Sequence, residues 1–116
     1  YQAAFADSGV PLPPGLLLTH VEGAQGGYNA MRRLCATRES RPTALLCTNS
    51  VLLLGAARAA RECGLECPRD ISLICFDNPA WTEHFPPAIT TLAQPKGEIA
   101  RRAIDLLLAR VDKKEE

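Results

Sequence analysis

The sequence predicts an α/β fold, a parallel sheet flanked by helices on both faces, and three observations carry the prediction. Apolar runs of strand length, "TALLCT" at 43–48 and "ISLICF" at 71–76, alternate with stretches of helical spacing. Those runs are nearly continuous in apolar character, as strands buried on both faces are. Each also stops abruptly on a polar side chain, Asn49 after the first and Asp77 after the second.

Taken in order, residues 1–9 read as a helix end stopped by Gly9, and "PLPPG" makes a turn. "LLLTHV" at 16–21 is the first strand candidate. A helix is expected from about Gly26 to Thr37, then the strand "ALLCT". Ser50 offers an N-cap to a helix over 51–63, which Gly64, Leu65 and Pro68 terminate. "ISLICF" is the next strand, 78–88 a loop with room for one helical turn, and "ITTLAQ" a short extended stretch. A last helix starts near Pro95 and carries an apolar stripe of Ile99, Ala103, Ile104, Leu107, Leu108 and Val111, before the charged tail "DKKEE". There is no internal repeat.

Composition sets bounds on function. The chain has 116 residues, 47% hydrophobic and 22% charged, which suits one globular domain with a modest core. Thirteen basic residues balance thirteen acidic ones, so charge alone calls for neither nucleic acid nor a membrane surface. No apolar run reaches the roughly 18–20 residues of a membrane span. The start of the sequence has no basic and apolar leader pattern and no Met, and a longer chain is expected. Five cysteines at irregular spacing make a poor disulfide framework and are expected as free thiols in the cytoplasm. His20 and His84 stand apart from them, so no metal site and no cofactor are expected.

Enzyme signatures are absent: there is no G-x-S-x-G and no H-E-x-x-H. The glycines of "EGAQGG" fit neither a dinucleotide loop nor a P-loop, and they read as a tight strand-to-helix connection. In parallel α/β sheets, ligands bind outside the carboxyl ends of strands. Asn49 and Asp77 fall at that edge, and Glu22 after 16–21 joins them. An amide and a carboxylate there suit a polyhydroxylated or heterocyclic small molecule; as Asx residues they also suit plain helix capping. Trp81 fits a ligand platform, a subunit interface or the core. The helix at 51–63 is apolar on nearly all sides, consistent with a central place in its layer or a second partner.

Together, "RPTALLCTNS…G", "CPRDISLICFDN" and "PPAITTLAQP" resemble the LacI/GalR family of bacterial transcription regulators in order and spacing. The resemblance implies the effector-binding domain: a periplasmic-binding-protein-like (Rossmann-like) fold of two lobes around a cleft, in a cytoplasmic, non-enzymatic regulator. It places residues 1–94 in the C-terminal lobe and makes 95–116 a crossover helix and tail of the other lobe. It implies that Asp77 and Asn49 hydrogen-bond a small-molecule effector, with Gln94 near the crossing. Glu22 stands where many relatives put an aromatic platform, which shifts the expectation toward a ligand with a cationic group. The chain departs from the family at Ser50, usually Asp, and at Cys75, usually Gly. It also implies a symmetric homodimer through helix 51–63 (Val51, Leu54, Arg58) and the loop at Trp81, and DNA contact only through an N-terminal domain outside this chain. A transport solute-binding protein of the same fold is the alternative.

Overall fold

The fold is described from a computed structural model, which covers residues 1–36 and 41–112. Helix α1 (Gln2–Ser8) ends at Gly9 in the left-handed conformation. Helix α2 (Gly23–Cys35) starts three residues before the expected Gly26, and the expected end at Thr37 lies outside the described residues. Strand β1 (Ala44–Cys47), helix α3 (Ser50–Glu62) and strand β2 (Ser72–Cys75) follow. A 3-10 turn at Ala80–Thr82, the short strand β3 (Thr90–Thr91) and the long helix α4 (Lys96–Asp112) complete the order. The tail "DKKEE" lies almost wholly outside the described residues.

The three strands form a parallel sheet in the order β1-β2-β3, and helices flank it. Ala44 faces Ser72 and Cys47 faces Cys75 across β1 and β2, while Cys75 faces Thr91 across β2 and β3. Helix α3 is the crossover between β1 and β2 and supplies most of the core: Leu53 and Ala59 have no exposed surface, and Ile71 and Cys75 meet them from the β2 side. Its C-terminus closes as the sequence implies. Gly64 is left-handed, its N–H bonds the Arg61 carbonyl at 3.0 Å, and Leu65 N–H reaches Ala60 at 3.0 Å.

Helix α2 lies directly on α3. A side chain at Gly55 would collide with the carbonyl of Ala24, and one at Gly27 with the carbonyl of Leu52. The two helices cross backbone to backbone, which only residues without a Cβ permit. Beside this crossing, Tyr28 Oη donates to Glu62 Oε2 at 2.6 Å, and the Arg58 guanidinium sits 5.0 Å from the Tyr28 ring centre.

Three expectations need correction. Residues 16–21 form no strand. Leu16–Leu18 lie half-buried beside β1 around a cavity of about 180 Å³, and His20 turns left-handed at φ 57°, so the segment buries side chains without joining the ladder. Burial along the strands alternates rather than running continuously: Leu73 and Cys75 of β2 are buried, but Leu46 of β1 and Phe76, just past β2, are 44% and 49% exposed. Finally, a helix with one apolar stripe is expected to bury it against a partner. Here, among the described residues, α4 makes no substantial contact with another element, and every residue from Lys96 to Val111 is exposed.

Candidate functional site

The site forms where β1 and β2 end. Cys47 and Cys75 are partners in the parallel register, so the residues two further along each strand, Asn49 and Asp77, leave the sheet side by side at its carboxyl edge. The sequence assigned the cap of α3 to Ser50, but the structure assigns it to Asn49. Asn49 is extended (φ −156°, ψ 165°), and its Oδ1 accepts the Leu52 N–H at 2.9 Å. With Oδ1 committed to the cap, the amide NH₂ is the group Asn49 has left to offer a ligand.

Ser50, freed from capping, lies beside the Asp77 carboxylate and is the smallest of the influences that hold its pKa down. Asp77 Oδ1 also accepts the Asn78 N–H at 3.1 Å and lies 3.0 Å from Lys96 Nζ. The Lys96 ammonium holds the Asp77 carboxyl below the usual aspartate range, against an opposing push from partial burial. The edge therefore carries a carboxylate, an ammonium, an amide donor and a hydroxyl. Such a set orients a small polar ligand through several directed bonds. Lys96 is the member that sequence reasoning missed. Its one sequence signal is its place two residues after Gln94.

The other candidates are distributed unevenly. Gln94 lies just beyond β3, half-buried, and its carbonyl accepts the Lys96 N–H at 2.8 Å, so it sits next to the Asp77 cluster along the chain. Glu22 occupies the N-cap position of α2 without making a capping bond. It opens on a cleft shared with Thr19, His20, Asn29 and Arg33, and no hydrogen bond links it to Asn49 or Asp77. Trp81 is half-buried in the 3-10 turn and packs against the core. Of the interface candidates, Val51 and Leu54 are both more than half exposed, and Arg58 is tied to Glu62 of its own helix at 2.9 Å.

The family model described as the periplasmic binding protein-like domain matches residues 1–116. The chain is 37% identical over 113 residues to the HTH-type transcriptional repressor PurR of Erwinia tasmaniensis, covering 97% of this chain and 33% of the repressor. It is 36% identical to the repressor of the same name from Haemophilus influenzae, covering 100% of this chain and 34% of that protein. The chain thus spans about a third of the curated relatives it matches. Among solved structures, a regulatory protein of the LacI family from Chloroflexus aggregans superposes with a TM-score of 0.85 at 31% identity, over 97% of this chain and 40% of that one. A LacI-family sugar-binding transcriptional regulator from Escherichia coli, complexed with phosphate, gives a TM-score of 0.81 at 27% identity, over 90% of this chain and 37% of that one. The chain belongs to the periplasmic binding protein-like domain family, in the form carried by LacI-type transcriptional regulators.

Proposed function

We propose that this chain is the C-terminal lobe of the effector-binding domain of a cytoplasmic, dimeric LacI-type repressor, with residues 95–116 belonging to the opposite lobe. The observation that carries the reading is the strand-end cluster of Asn49, Ser50 and Asp77, joined by Lys96 from the first turn of α4. A ligand that engages Asp77 there competes with an ammonium carried by the helix that leaves this lobe. Ligand binding is thereby linked to how the two lobes sit. The mechanism is a population shift: an effector that binds one lobe arrangement better favours it, and the DNA affinity of an attached helix-turn-helix domain changes with it. Glu22, Gln94 and Trp81 are secondary contributors to the site, and the chain carries out no catalysis in this scheme.

The test uses the full-length protein. A thermal-shift screen of sugars, heterocyclic bases and small amines selects a ligand, and calorimetry then compares wild type with two variants. A hydrogen bond to a charged carboxylate is strong enough that Asp77→Ala weakens binding by roughly 10- to 100-fold, and Asn49→Ala by less. Unchanged affinity in Asp77→Ala removes this residue from the site. A ligand that binds without altering operator affinity favours a transport-type binding protein instead.

A further inference from the structure

The C-terminal ends of α2 and α3 bring two thiols together at the edge of the sheet layer remote from the effector cluster. Cys35 is the last residue of α2 and Cys63 caps α3. The two residues meet at the wall of one shallow surface pocket. Both are half-buried and line one surface pocket together with Arg41, Arg69 and Asp70. The Arg32 guanidinium donates to Cys63 Sγ at 3.6 Å. Burial, then the neighbouring Cys63, pushes the Cys35 thiol up to about 11. The Cys63 sulfur thus sits beside a cation, with Cys35 as its neighbour in the same pocket.

We propose that Cys63 and Cys35 form a peroxide-responsive disulfide site that ties α2 to α3. The Cys63 sulfur attacks one peroxide oxygen, an S–O bond forms, the O–O bond breaks and water leaves, giving a sulfenic acid on Cys63. The Cys35 sulfur then attacks Cys63, an S–S bond forms, the S–O bond breaks, and the hydroxyl departs as water with the Cys35 proton. In sum, two thiols and one hydrogen peroxide give one disulfide and two waters. The tie fixes the far ends of the two helices whose near ends carry Glu22 and Asn49.

The other cysteines are internal controls. Cys47 and Cys75 are buried opposite each other on β1 and β2, with burial pushing Cys47 up to about 12, and Cys67 packs against the core without a neighbouring guanidinium bond. The experiment treats the full-length reduced protein with hydrogen peroxide, blocks remaining thiols by alkylation, and maps the digest by mass spectrometry without reductant. A Cys35–Cys63 linked peptide that disappears on dithiothreitol treatment is expected, together with a raised melting temperature. In Cys35→Ser, dimedone should label Cys63; in Cys63→Ser both label and crosslink should vanish. The wild-type crosslink map needs no variant, so a misfolded variant leaves the test intact. Both thiols recovered free after peroxide, a crosslink between two copies of the chain, or oxidation of Cys67 ahead of Cys63 overturns the proposal.

Discussion

Asn49 serves the fold and the candidate site with different atoms. Its Oδ1 satisfies the Leu52 N–H, and loss of such a cap costs about 1 kcal/mol. Asn49→Ala should therefore lower the unfolding free energy by that amount, while Asn49→Ser, which keeps an acceptor, should recover most of it; equal unfolding free energies for the two variants would show that the cap is not what Asn49 contributes. Asp77 makes a second prediction through pH. Its folded pKa is depressed by Lys96, so its contribution is fully present above the ordinary aspartate value of about 3.9 and is lost as pH falls through the lower folded value. At neutral pH the pair is intact. An NMR titration of the Asp77 carboxyl should give a midpoint below the ordinary one, and Lys96→Met should move it upward. A midpoint indifferent to Lys96→Met would mean the ion pair does not form in solution.

Helix α3 is the element on which the rest depends, since it packs on α2, on β1 and on β2. Its contact with α2 leaves no room at Gly55, where a methyl group meets backbone that cannot turn aside. Gly55→Ala should destabilise by about 1–3 kcal/mol or more, seen as an earlier urea midpoint. The outer face of the same helix exposes Val51 and Leu54. If this face is the dimer contact, Leu54→Lys should sediment as a monomer where the parent sediments as a dimer; a parent that is already monomeric at high concentration ends the interface reading. The limits of α3 were legible in the sequence within a residue, and so was Gly64, because caps and stops obey local rules. The pairing of Asn49 with Asp77 was legible too, since parallel strands of similar length end at one edge. Residues 16–21 were misread because a short apolar run has the same composition whether it joins a ladder or fills a cavity. Lys96 was missed because its partner lies far away in sequence and no periodicity marks an ion pair.

For the molecule as a whole, apolar surface stands uncovered beyond the outer face of α3: on the sheet face bearing Leu46 and Phe76, and along the stripe of α4. Single exposed apolar residues are ordinary, but contiguous apolar faces mark contact sites. A chain that spans about a third of its relatives has an evident source of cover in the remaining two thirds, and the proposed assignment of α4 to the opposite lobe gives its stripe a partner. That assignment makes a contrast measurable between two proteins with the same residue. In the 116-residue chain Leu107 is 63% exposed, so Leu107→Ser should shift the unfolding midpoint little beyond the small change in helix propensity. In the full-length protein the same side chain should be buried between α4 and its lobe. Full burial of a leucine is worth about 1.5–3 kcal/mol, and a cavity adds to the loss. Leu107→Ser should then cost at least about 2 kcal/mol in denaturant titrations of the full-length protein. An equally small effect in both proteins would show that α4 stays solvated and does not belong to the other lobe.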